Sequence, residues 1–172
     1  ESFTVTVSDG QGGTVDQVVT VTVTGTNDDP TITVAGTDAL GAVTEDTSVS
    51  AGNLSDTGTI AFNDIDLIDV HSTSVVADGG NTLGGTLVMG AVSESALTEP
   101  GTVGWTYTVS NAAVQYLAFN QTATESFTVT VSDGTDTSTA TLTIGPVTPV
   151  NDAPTAANDT VAATEDTAAT GN

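Results

Sequence analysis

The 172-residue chain contains neither lysine nor arginine, and its single histidine, His71, is the only side chain that can become cationic. Against it stand 22 aspartates and glutamates, for a formal charge of −22. Neighbouring carboxylates repel, and Lys or Arg usually offsets them. Here they must be spread in water, protonated or neutralised by metal, and hard divalent cations with oxygen ligands are the natural choice. The same charge disfavours nucleic acid and anionic membrane surfaces as partners. Cysteine is absent, which excludes disulfides and thiolate metal sites. No apolar run has the length that spans a bilayer, so membrane insertion is not expected. No secretion signal opens the chain, because ESFTVTVSDG already reads as a strand. The sequence therefore reads as a piece of something longer. Tryptophan occurs once, and Trp105 lies among alternating residues, which marks it as core rather than as a platform for a sugar.

What is present favours sheets. Hydrophobic residues make up 37% of the chain and mean hydropathy is +0.11, too high for an acidic disordered tail. Val and Thr, both β-branched, dominate with Ala. The decade ESFTVTVSDG occurs at position 1 and again, letter for letter, at position 125, which is 124 positions on. Asn-Asp-x-Pro recurs with the same offset, at Asn27 and Asn151, and TEDT recurs from Thr44 to Thr164. Anchors in one order imply a tandem array whose period is a whole domain. The expected units are 1–26, the last strands of one repeat; 27–150, a complete repeat; and 151–172, the start of the next. The junctions end in Pro, which fixes φ and stiffens the link relative to a Gly/Ser linker.

Alternation predicts strands over 31–35, 43–51, 59–62, 71–77, 85–89 and 105–109, a hairpin from 3–7 to 15–24, and its copy from 127–131 to 140–144. Residues 113–118 lack alternation and predict one helical turn. About eight strands per unit read as an all-β sandwich. Trp105, Tyr107, Phe62, Leu117 and Phe127 are the expected large core residues.

The densest acidic stretch is FNDIDLID, with Asp64, Asp66 and Asp69 beside Asn63. Residues two apart on an extended segment share a face, so these carboxylates can begin a calcium site. Calcium takes six to eight oxygens, so Glu45, Asp46, Asn27 and Asp28 are candidate contributors. The spacing is not that of an EF-hand, because Asp69 stands where its invariant Gly is required and Val75 where its bidentate Glu is required. Asp9 and Asp133 sit in Ser-Asp-Gly turns, where either turn chemistry or metal ligation accounts for them. His71 and Ser72 do not suggest a triad, since neighbours on a strand point to opposite faces. No phosphate loop and no zinc spacing occurs, so no enzymatic activity is expected.

The blocks GTIAFNDIDLIDVHS (58–72), GWTYTVSNAAVQYLA (104–118), ESFTVTVSDG and GTND-x-P resemble, in order, those of the VCBS repeat. That family comprises cadherin-like or Ig-like domains found in tandem in very large secreted bacterial proteins, including RTX adhesins. The resemblance spans essentially the whole period, with a longer stretch at 81–100. It implies an Ig-like or cadherin-like β-sandwich in tandem array, export from the cell and a place on the bacterial cell surface. Cadherin-like arrays hold calcium at domain junctions, which favours Glu45, Asp64, Asp66, Asn27 and Asp28 as ligands. Asn151, Asp152, Glu165 and Asp166 are the equivalents at the next junction. The implied function is a calcium-stiffened extender that projects a terminal adhesive domain, with neighbouring repeats as its partners. Two alternatives are a module that binds surface glycans or another protein, and a filament subunit that joins other copies by strand exchange.

Overall fold

The computed structural model describes residues 1–158 and Glu165. In chain order the elements are β1 (Ser2–Ser8), β2 (Thr14–Thr20), β3 (Thr31–Thr33), β4 (Leu40–Gly41), β5 (Asn53–Asn63), β6 (Ser72–Ala77), β7 (Thr86–Ser95), β8 (Thr98–Ser110), α1 (Asn111–Val114), β9 (Ala123–Ser132) and β10 (Thr137–Val147). Two four-stranded sheets, ordered β4-β10-β9-β6 and β3-β5-β8-β7, form the sandwich. All pairings are antiparallel except that of β4 with β10, which is parallel. The protein is an all-β sandwich, as its alternating Val and Thr predict. Among the described residues no helix is long and apolar enough to cross a membrane.

The core follows from alternation on facing strands. β8 turns Val103, Trp105, Tyr107 and Val109 inward, each almost fully buried. β9 answers with Phe127, Val129 and Val131, and the Tyr107 and Phe127 rings meet edge to face with centroids 6.0 Å apart. Phe62 and Leu117 join them in the interior. Gly58 lies opposite Trp105 across the β5–β8 pair, and a methyl group there would overlap the indole. The indole N–H is not wasted, for it donates to Asp38 O at 2.7 Å.

Several elements differ from the sequence expectation. The segment 43–51 is not a strand, although it carries β-branched Val and Thr. Asp46, Ser48 and Ala51 adopt positive φ of 55°, 55° and 49°, which is incompatible with extended backbone. Only isolated bridges, Thr44 to Thr148 and Ser50 to Asn53, remain there. β5, β7 and β8 are longer than predicted because each continues past its apolar stripe into half-exposed Thr, Ser and Gly positions. The 81–100 stretch accordingly holds all of β7, its tight turn and the start of β8. The helical turn starts slightly earlier than expected, at Asn111.

Among the described residues β1 and β2 form their own two-stranded sheet and pair with no other strand. Phe3 is 50% exposed, whereas Phe127, its counterpart in an identical decade, is 2% exposed. The local sequence yields the same hairpin twice. Burial depends on whether a second sheet faces it.

Candidate metal centre

The eleven residues of β5 separate two ends of the sandwich by about 35 Å. At the end where β5 finishes, the loop after Asn63 curls on its own carboxylates. The Asp66 N–H donates to Asp64 Oδ1 at 2.8 Å, and the Asp69 N–H to Asp66 O at 2.8 Å. The β9–β10 turn approaches the same place, its shape set by Asp133, whose Oδ1 accepts the N–H groups of Thr135 and Asp136, both at 2.7 Å. Asp64, Asp69 and Asp133 thereby each present an oxygen within 4.8 Å of the others. Three converging carboxylates of this kind can hold a metal ion.

The linker is fastened to this group. Asn27 Nδ2 donates to Asp133 Oδ2 at 3.0 Å and to Asp136 Oδ2 at 3.1 Å. The Asp28 N–H donates to Asp66 Oδ2 at 2.8 Å. The site thus gathers three segments far apart in sequence. Its electrostatics are uneven. Partial burial, then the charges of Asp66, Asp64 and Asp133, raise the Asp69 pKa above its ordinary value. Asp133 goes the other way, lowered by the Asp136 N–H, the Asn27 amide and the Thr135 N–H.

His71 sits beneath the cluster, tilted against Phe62 at a ring separation of 4.7 Å. Its Nε2 lies 3.0 Å from Asp64 Oδ2 and its Nδ1 lies 2.7 Å from Glu94 Oε2. Its backbone N–H also donates to Glu94 Oε1 at 3.2 Å. A carboxyl group against each ring nitrogen is an arrangement that favours the doubly protonated ring. Burial alone would lower the pKa of His71, but the hydrogen bonds to Asp64 and Glu94 outweigh it and the net shift is upward. Both nitrogens are occupied by acids, and the Ser72 hydroxyl donates to Ser132 O instead, at 3.5 Å. The cavity beside His71 is about 20 Å³, room for one water molecule.

At the other end stand Glu45 and Asp46, which therefore do not join the Asp64 group within one sandwich. Glu45 is fully buried. Its N–H donates to Thr148 O at 2.9 Å, and its Oε2 accepts the Val150 N–H at 2.8 Å. Glu45 Oε1 is buried with no hydrogen-bond partner among the described residues. Such an orphaned acceptor in the interior suits a cation or a bound water. Asp46 Oδ1 accepts from Asn111 Nδ2 at 2.7 Å and Gln115 Nε2 at 3.1 Å, tying α1 to the same end. Asn151 and Asp152 follow directly and are exposed. The Asn151 amide bonds Asp152 O at 3.4 Å, the same local contact that Asn27 makes with Asp28 O at 3.4 Å. Glu165 is exposed, and Asp166 lies outside the described residues.

Sequence reading missed Asp136, Glu94, Asn111 and Gln115. Asp136 carries a local signal, three positions after Asp133 in the same turn. Glu94 carries none, because only the folding of β7 brings it to His71. A further buried carboxylate, Glu125, is structural. It accepts the N–H groups of Leu83 at 2.8 Å and Gly85 at 3.1 Å and the Tyr107 hydroxyl at 2.8 Å. Burial, then Glu125, pushes the Tyr107 pKa far upward, so the hydroxyl stays protonated and donating. No family model matches the chain, and no curated protein matches it in sequence.

Proposed function

We propose that this chain is part of an extender array of a large secreted bacterial surface protein, whose repeats are stiffened by calcium at their junctions and whose role is to hold an adhesive domain away from the cell. One observation carries the reading. Two Asn-Asp-x-Pro junctions, 124 positions apart, adjoin acidic sites at opposite ends of one sandwich. Asn27 and Asp28 are bonded to Asp133, Asp136 and Asp66, and the chain entering Asn151 is bonded to Glu45.

The residues fit a hard cation. Asp64, Asp69 and Asp133 would hold it at one end, with Asp66, Asp28 and Asn27 in reach as further oxygen donors. At the other end the free Glu45 oxygen would serve, with Asp46, Asn151 and Asp152 close in sequence or in space. Calcium there would supply the charge neutralisation that a chain without Lys or Arg lacks, beyond the single His71 at Asp64. The function needs no catalysis. Extracellular modules bind calcium at about 10⁻⁴–10⁻³ M.

Thermal unfolding in calcium and in chelator tests this. With calcium at about ten times Kd, mass action adds about 1.4 kcal/mol per site, which raises Tm by roughly 5 °C for a domain of this size. Removal of Asp69, as Asp69→Asn, should abolish most of that gain. A Tm indifferent to calcium would refute the metal site. A second reading, strand exchange between copies, is favoured by the uncovered Phe3, Val5 and Val7 face, whose sequence equals that of β9. Mass that rises with protein concentration and falls on Phe3→Ser would favour it.

A further inference from the structure

The acidic loop at the Asn27 end is also an apolar one. Its carboxylates turn inward to the cluster, and Ile65, Ile68 and Val70, interleaved with them, point out and are 77%, 82% and 78% exposed. At the opposite end, beside the Asp46 group, Tyr116 and Phe119 are 60% and 68% exposed. Tyr116 follows Gln115, which donates to Asp46, and Phe119 lies in the segment leading to Ala123, which pairs with Val147, so both belong to the end of the sandwich where Val150 meets Glu45. Large apolar side chains grouped in this way on a highly charged surface mark a contact site.

The repeat specifies what covers them. Asn151 occupies in sequence the position of Asn27, and both make the same bond to the following carbonyl. A repeat following Asn151 would therefore bring its own copy of the 64–70 loop to the end that carries Tyr116 and Phe119. We infer that Tyr116 and Phe119 of one repeat seat against Ile65 and Ile68 of the next copy, forming an apolar collar around the junctional carboxylates. This rests on the tandem reading proposed above. The collar gives the joint something that ions alone do not. It excludes water from the carboxylates, and charge interactions strengthen as the local dielectric falls.

The absence of cysteine provides a direct test on the full chain. Ile68→Cys and Phe119→Cys variants, each exposed and unstrained, are mixed in equal amounts and mildly oxidised in millimolar calcium. Random collision gives mixed disulfides as half of all dimers. End-to-end seating gives a several-fold excess of the mixed 68–119 species over both symmetric ones. A statistical mixture, or an excess of symmetric dimers, overturns the collar. Calorimetry with calcium alone separates the two proposals. Calcium binding with a statistical mixture removes the collar and leaves the metal reading, whereas a mixed excess that persists in chelator without calcium binding keeps the collar and removes the metal. Calcium-dependent binding to phosphatidylcholine vesicles, lost in Ile65→Ser/Ile68→Ser and accompanied by a statistical mixture, would assign the loop to lipid and also overturn the collar.

Discussion

Glu125 illustrates how little a residue's identity says about its role in this chain. It is one of 22 acids, yet it is buried and satisfied by two backbone N–H groups and a phenol. Tyr107→Phe should cost about 1.5 kcal/mol, while Glu125→Ala, which strands buried donors, should cost about 3 kcal/mol or more. Urea denaturation separates the two, and equal small losses would contradict the network. His71 is the other singular residue. Its folded pKa is raised above the ordinary 6.5. A raised basic group stabilises the fold fully below its unfolded pKa and loses that contribution as pH rises through the folded value. Tm in chelator should therefore fall as pH rises from about 6.5 through the raised value, and His71→Asn should flatten the dependence. Asp133, with its lowered pKa, acts in a separate window. Its contribution is fully present above the ordinary carboxylate value and is lost as pH falls through the lowered folded value.

At the scale of elements, close approach governs what β5 tolerates. Gly58 leaves the space that the Trp105 indole fills, so Gly58→Ala should destabilise the sandwich by about 1–3 kcal/mol through overpacking. Gly80→Ala, where a methyl group meets nothing within 4 Å, is the matched control and should change stability by less than about 0.5 kcal/mol. The strands themselves were legible from alternation, as in β9, where Phe127, Val129 and Val131 face one way. Segment 43–51 misled because Val43, Thr44, Thr47 and Val49 are β-branched and favour strands. Its fate is decided by Glu45, whose buried carboxylate and backbone N–H are bonded to the chain at 148–150, more than a hundred positions away. Local pattern contains no record of that partner.

At the scale of the molecule, identical sequence meets unlike surroundings. β1 and β9 share the run SFTVTVS, but among the described residues only β9 lies between strands on both sides and beneath a second sheet. Amide exchange by NMR should show Val129 and Val131 protected by orders of magnitude more than Val5 and Val7, because only the former open with the global unfolding of a core. Comparable protection would mean that β1–β2 is covered in solution. The candidate metal site shows the same division. Asp64, Asp66 and Asp69 could be picked from their spacing, and Asn27 and Asp28 from their recurrence. Asp133 was ambiguous, since its turn explains it equally well, and Glu94 was invisible.

The sequence alone determined the all-β class, the 124-position spacing of the repeated segments and the lack of any Lys or Arg to offset the carboxylates, because alternation, repetition and a missing residue type are properties of the chain before it folds. Tertiary structure decided which carboxylates meet. Asn27 reaches Asp133 and His71 reaches Glu94 only after sheets have paired, and Glu45 is carried to the opposite end by the length of β5. Such juxtapositions depend on register and loop path, which involve residues far apart in the chain, and so no short stretch of sequence records them.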